Sequence, residues 1–326
     1  VNGEQLALAS TFGLDPDPAR EQIASAFLLA DPQGIRLADV FRRTFDSLYD
    51  GQHTGRYRWD QLMKTEKTHY GSLFEINLRR AFDDVLDDVP DEDSPLDYRV
   101  LGHDIDCKYS QRLNGWMLPP ECFNHLLLVA TSSDENGTWS LGIVRASEAN
   151  RRETSNRDRK TQLNQRGASQ IQWLFRNAQL PPNILLSLDA ATIAKIFASS
   201  SGQARINNLC RLVTGRRIGR NTIATVAQQD DYMARLRDNG GGARTVLRKE
   251  GYLIAGDYEV HRRIAKTLEQ PEPQAGEVVS FRVVPAMNSG RPTVELDGRR
   301  WRIAHEGEAV TEPAPKLPEI KKTKRI

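Results

Sequence analysis

LDYRVLGHDIDCKYS, residues 96–110, is the stretch around which the rest of the chain is organised. It sets Asp97 ahead of an Asp106-Cys107-Lys108 triplet, and Gly102-His103-Asp104 between them reads as a tight hairpin. Strand side chains alternate between faces, so Asp106 and Lys108 share one face while Ile105, Cys107 and Tyr109 take the other. The second face is apolar and suits a core. The first gathers carboxylates and an ammonium, a costly cluster unless a metal ion or a phosphate sits among them.

Upstream, residues 18–31 and 37–49 each carry an apolar stripe at helical spacing, and a longer helical region runs from about 59 to 82. Inside it, Ser72 and Glu75 have the spacing of a capping box. That gives Glu75 a structural role, as does a pairing with Arg79 one turn on. In the functional alternative, Glu75 faces the hairpin and joins its carboxylates. Downstream, residues 123–131 (FNHLLLVAT) form a nearly continuous apolar run of strand length, the mark of a buried central strand. Residues 139–146 read as a further strand beyond a polar turn. Helices, a hairpin and two strands make an α/β (α+β) domain with a central mixed sheet flanked by helices. A short helix to Phe175 and a linker at the prolines Pro181 and Pro182 close it, giving domains at 1–173 and 183–326 with 174–182 between them.

The second half reads as helices over 189–198, 203–213 and 222–236, then a glycine break at 240–242. A short basic helix over 243–250 and an apolar strand over 251–256 follow. That order is expected of a winged helix-turn-helix, whose last helix enters the DNA major groove. Arg244, Arg248 and Lys249 would face DNA, Arg235 and Arg237 would lie near the backbone, and Arg216, Arg217 and Arg220 form a basic turn. The alternative is a helical domain with a solvated arginine face. Two strands, 278–284 and 293–304, suggest a terminal hairpin, and the Pro- and Lys-rich end from Glu312 to Ile326 reads as a disordered tail.

The chain has 326 residues, 39% hydrophobic and 27% charged, with a net charge of +2. The sum does not announce a nucleic-acid partner, but its distribution is segregated: residues 83–97 are acidic, whereas 211–220 and 235–249 are arginine-rich. No apolar run approaches a membrane span, so a cytoplasmic protein is expected. Three cysteines without zinc-type spacing suggest buried free thiols. The six histidines are scattered. There is no nucleophile elbow, no phosphate loop ending in Gly-Lys-Ser/Thr and no dinucleotide fingerprint, so no nucleotide cofactor is expected.

Phosphodiester hydrolysis needs charge neutralised at phosphorus and a water made nucleophilic. A divalent cation does both, and magnesium prefers carboxylates and phosphate oxygens as ligands. Asp97 and Asp106 can hold one ion between adjacent strands, and Lys108 can orient the attacking water or hold its developing charge. A carboxylate, a hairpin and then Asp-x-Lys in a strand is the pattern of the PD-(D/E)xK nucleases.

Longer runs carry a closer resemblance. Residues 48–52 (LYDGQ), 64–69 (KTEKTH), 74–78 (FEINL), 104–108 (DIDCK) and 116–121 (WMLPPE), with 202–205 (GQAR), 223–231 (IATVAQQDD) and 241–244 (GGAR), resemble the NaeI family of type IIE restriction endonucleases from about residue 20 to 305. The resemblance implies a homodimer that cuts double-stranded DNA with Mg2+ at a short, GC-rich palindrome. It implies a PD-(D/E)xK nuclease domain followed by a winged-helix domain like that of the catabolite activator protein, binding a second DNA site as effector. The family's catalytic set falls on Glu75, Asp97, Asp106 and Lys108, with Glu75, Asp97 and Asp106 as the metal side. Leu96 stands where the broad nuclease motif has proline, a structural position. Residues 1–19, 87–93 and the tail have no support from the family. The rival readings are a DNA-binding regulator with an inactive nuclease half and a strand-nicking repair endonuclease.

Overall fold

The computed structural model describes residues 13–87, 96–286 and 290–318. They fall into two compact units: one takes the chain up to Tyr49 together with Arg58–Asn183, the other takes Asp50–Tyr57 with the chain from Ile184 onward.

Three helices build one side of the first unit. Helix α1 (Pro18–Ala30) is capped by Asp17, whose carboxylate accepts the Arg20 N–H at 3.2 Å, with Pro18 suited to the first turn. Helices α2 (Ile35–Tyr49) and α3 (Lys64–Ala81) pack along their buried stripes, where Phe41 meets Phe74 at a ring separation of 4.5 Å. The sheet runs in the order β1 (Tyr98–Val100), β2 (His103–Tyr109), β3 (Leu126–Ser133), β4 (Thr138–Arg145), β5 (Gln172–Gln179). Strands β2 and β3 pair in parallel and the other neighbours are antiparallel, so the sheet is mixed.

The central strand β3 is covered on both faces, which is why its sequence is apolar without alternation. Leu126, Leu128 and Ala130 join Ile105 and Cys107 against the three helices. Leu127 and Val129 pack under Trp116, Leu118 and Cys122 from the segment that follows β2, with helix α4 (Gln165–Ser169) preceding β5. The free thiols of Cys107, Cys122 and Cys210 are all buried, as expected. A buried polar knot ties α2 to the β3–β4 turn: Asp134 accepts Arg42 at 2.5 Å and the Tyr49 hydroxyl at 2.8 Å.

The second unit contains α5 (Ala190–Phe197), α6 (Gly202–Leu212), β6 (Arg217–Gly219), α7 (Arg220–Ala227), α8 (Ala243–Arg248), β7 (Tyr252–Gly256), α9 (Glu259–Thr267) and the strands β8 (Glu277–Pro285), β9 (Val294–Leu296) and β10 (Arg299–Ile303). Strand β8 is the hub: β6, β7 and β10 each pair with it antiparallel. A helical turn at Gly51–Thr54 from the early chain packs here. A Cβ on Gly51 would meet Thr225 Oγ1 at 2.1 Å, and the Tyr57 and Phe197 rings stack at 6.3 Å.

Several sequence expectations change. Residues 172–179, read as a short helix and the start of a linker, are strand β5, held to β4 along its length and by the Trp139 indole N–H donating to the Gln179 carbonyl at 3.0 Å. Within the helical region expected over about 59–82, the helix carrying Glu75 runs from Lys64 to Ala81, and no helix begins at Ser72. Its first turn is closed by Glu66 accepting the Met63 N–H at 2.8 Å, and the buried series Tyr70, Phe74, Leu78 keeps it continuous through Gly71 and Ser72. Ser72 is therefore no cap. The helix expected over 222–236 stops at Ala227, where Gln228 turns left-handed at φ 52°. The strand expected over 293–304 is split by Asp297 and Gly298, both at positive φ, into β9 and β10. Helix α9 was not read from the sequence. The terminal segment up to Pro318 is packed rather than loose: Ala314 is buried, and its N–H donates to the Arg248 carbonyl at 2.8 Å. Residues 88–93 of the insertion-like stretch, the arm before Gly13 and the tail beyond Pro318 lie outside the described residues. Among the described residues, no helix is long and apolar enough to cross a membrane.

Candidate active site

The β1–β2 hairpin sets the geometry. Its turn is Leu101-Gly102, both at positive φ, one step earlier than expected. The register pairs Tyr98 with Ile105, so one step back Asp97 stands opposite Asp106. The Asp97 carboxylate accepts the Cys107 N–H at 2.7 Å, which fixes its rotamer against the neighbouring strand. Lys108 reaches back along its own strand: its ammonium contacts Asp106 Oδ2, lies 3.9 Å from Asp97 Oδ2 and donates to the Cys107 carbonyl at 3.2 Å.

Asp106 is 4% exposed. Burial first, then the contact with Asp97, pushes its carboxyl up to about 7, with Lys108 opposing. Oδ2 makes a close ion pair with Lys108 but no bond of hydrogen-bond geometry, so a buried acceptor is left open. Burial would depress the Lys108 ammonium, yet Asp106 and, behind it, Asp97 more than offset this, and its pKa stands above the ordinary lysine value. The lysine is therefore a cation in this setting rather than a proton acceptor. Burial pushes the Cys107 thiol well up and the Cys122 thiol up to about 12, so neither is a nucleophile.

Glu75 lies half-buried on α3. Its carbonyl accepts the Tyr98 hydroxyl at 2.7 Å, and its charge helps raise the pKa of Tyr98 and of Cys107 after burial itself. It therefore faces the hairpin corner. Even so, among the described residues no three His, Cys, Asp or Glu side chains are placed to hold one ion. The structure brings together Asp97, Asp106 and Lys108, and leaves Glu75 beside them. Two carboxylates with one open buried oxygen are the hard donors that a small divalent cation takes, and the residues present fit such an ion.

The arginines singled out in the second unit separate into two kinds. Arg216, Arg217, Arg220, Arg237 and Lys249 are exposed. Arg244 is half-buried and its Nε donates to the Ile254 carbonyl at 2.9 Å, so the side chain braces β7 rather than pointing outward. Arg235 pairs with Asp231 at 2.7 Å, and Arg248 buries its Nε. Sequence reasoning took all of α8's charges as outward-facing because helical periodicity does not say which stripe a following strand will claim.

The mixed sheet with flanking helices fits a restriction-endonuclease-like fold. The family described as Restriction endonuclease NaeI matches residues 21–312. Type II restriction enzyme NaeI of Lentzea aerocolonigenes is 43% identical over 312 residues, covering 93% of this chain and 96% of that protein. The carboxylate pair and lysine thus stand within a match that runs through both units, and the chain belongs to the NaeI restriction endonuclease family.

Proposed function

We infer that the protein is a type II site-specific deoxyribonuclease, part of a restriction-modification system, that hydrolyses phosphodiester bonds in double-stranded DNA with magnesium. The observation that carries this reading is the Asp97–Asp106 pair with the Lys108 ammonium against it, in a member of this family. Asp97 and Asp106 would hold the cation, and Glu75 completes the acidic corner. Bound there, magnesium would supply Lewis-acid stabilisation of charge on the phosphate and favour ionisation of a water.

The chain's own residues do the rest. The Cys107 N–H orients Asp97, and Asp106, beside Leu127 on the neighbouring strand, is buried from bulk water. The Lys108 ammonium, held by two carboxylates, is placed to stabilise the anionic charge that builds on the attacking oxygen and the pentavalent phosphorus.

The second unit supports a winged-helix reading. The order α6, β6, α7, α8, β7, β8, with β8 paired between β6 and β7, is that of such modules. Lys249, Arg216, Arg217 and Arg220 would be its phosphate contacts, while Arg244 has a bracing role. The full reading is a homodimer in the cytoplasm that cuts at a short, GC-rich palindrome and is activated when this unit binds a second copy of the site. Incubating supercoiled plasmid with the full chain and magnesium tests it. Discrete fragments support the reading; intact plasmid would favour a regulator, and open circles alone a nicking enzyme. Dependence of the rate on the number of sites per plasmid tests the effector role.

A further inference from the structure

One cleft in the first unit lies away from the carboxylate pair. It is a polar opening of about 250 Å³ farther along the sheet of the first unit, lined by Gln111, Thr131, Ser133, Asn136, Arg176 and Asn177 among others. Strand register places Thr131, Ser133, Thr138 and Ser140 of its lining on the catalytic face. Asp106 and Lys108 neighbour Leu127 and Val129 on β3, and side chains two residues apart share a face. Thr131 and Ser133 continue that row, opposite Ser140 and Thr138 on β4. Trp116 and Leu118 cover the apolar middle of this face. The carboxylates lie at one end of the row and the cleft at the other.

A break in the last strand shapes the cleft. Between the pairs Leu141–Phe175 and Trp139–Ala178, β5 has two residues where β4 has one. Phe175 and Ala178 both pack against the helical core, so Arg176 and Asn177 are turned together onto the opposite, catalytic face. Asn177 holds φ at 51°, and its N–H donates to the Ser140 hydroxyl at 2.9 Å. The Arg176 guanidinium lies 5.5 Å from the centre of the Trp173 ring, which steadies it. A bulge with a left-handed non-glycine residue is a local cost that a plain edge strand would not carry, and bulges of this kind re-aim side chains beside functional sites.

We propose that this cleft reads base edges of the DNA being cut, with Arg176 as the guanine-directed donor and Asn177 and Gln111 as further base-edge contacts. The inference rests on the nuclease reading above. The chemistry matches: an arginine fork suits the two major-groove acceptors of guanine, and the amides suit adenine or cytosine edges. Arg176 and Asn177 stand three strands across and about two residues along from Lys108, roughly 16 Å away. At about 3.4 Å per nucleotide that is four or five steps along the duplex from the cut.

The test uses the full chain with magnesium, on a duplex carrying the mapped cleavage site and on its single-base-pair variants. Wild-type protein that cuts none of them would remove the nuclease reading itself, before the cleft is at issue. With wild-type cutting established, Arg176→Ala should lower kcat/KM on the mapped site by roughly five- to a hundred-fold. It should lower cleavage of the variant at one base-pair position far less, so that discrimination at that position collapses. Asn177→Gly, which keeps the left-handed backbone and removes the amide, should relax a neighbouring position. Binding measured against salt should keep its slope in both variants. An equal loss on every duplex with a shallower salt slope would make Arg176 a phosphate contact, and unchanged discrimination in a folded variant would make the cleft a passive surface. Either outcome overturns the proposal.

Discussion

The Asp97 carboxylate accepts the backbone N–H of Cys107 at 2.7 Å, so one acid of the pair is tied to the strand that carries the other acid and the lysine. Backbone anchoring of this kind holds the pair's geometry without relying on the charges that the pair itself presents.

Lys108→Ala and Asp106→Ala should each abolish plasmid cleavage, by at least about a hundredfold, while leaving specific DNA binding within a few-fold of wild type. Gel-shift titration in calcium beside a magnesium cleavage assay checks both halves. Loss of binding by a folded variant would mean that these residues grip DNA rather than act on it.

The raised pKa of Asp106 predicts how stability depends on pH. An unfolded aspartate titrates at about 3.9, whereas burial and the facing Asp97 push the folded one up to about 7. Between those values the folded state holds the extra proton, so the stability of the metal-free protein falls as pH rises across that window. Thermal unfolding in a chelator should show this decline, and Asp106→Asn should flatten it. At pH 8 magnesium should raise the unfolding temperature of the wild type more than that of the variant.

Arg244 and the exposed cations should part company. Arg244→Ala removes the brace on Ile254 and should lower the stability of the second unit, detected by thermal unfolding. Lys249→Ala or Arg220→Ala should leave stability unchanged but reduce the salt slope of DNA binding by about one each if they contact phosphate. A reversed pattern would return Arg244 to the DNA surface.

Asp134→Ala should be among the most damaging substitutions in the first unit. It removes the buried carboxylate that Arg42 and the Tyr49 hydroxyl share, leaving Arg42 its ion pair with Asp46. Losing these charge-assisted hydrogen bonds should cost about 1.5–3 kcal/mol, readable in denaturant unfolding.

How much of this was legible in the sequence differs by element. The hairpin and its lysine were, because strand alternation and a glycine turn are local rules. Strand β3 was, because a run buried on both faces is apolar throughout. Strand β5 was not: its two bulges break the alternation that would have revealed it, and the prolines just beyond drew the linker too far back. The Asp297-Gly298 dipeptide is itself a hairpin signal inside the run that strand propensity alone reads as continuous. The open Oδ2 of Asp106, the bracing role of Arg244 and the place of Glu75 beside the pair depend on contacts between segments far apart in the chain, which no spacing rule carries.

Gly51→Ala tests a relation of the same long-range kind. A methyl there would collide with Thr225 Oγ1 and the Arg56 carbonyl. The substitution should loosen the unit that holds residues 184–318, seen as faster amide exchange around Thr225, while exchange in β2 and β3 stays as in wild type. Equal loosening of both would argue that the turn does not belong to the second unit alone.

The placement of Asp50–Tyr57 has a consequence for the chain as a piece of genetic material. Neither unit is a cassette. A single splice near Asn183 would deliver a second unit missing its helical turn, and would leave a first unit trailing an orphaned loop. Fusion partners, hybrid enzymes and recombinants joined at one junction inherit that defect, so the two units can be exchanged only by grafting the eight-residue insert along with the C-terminal half.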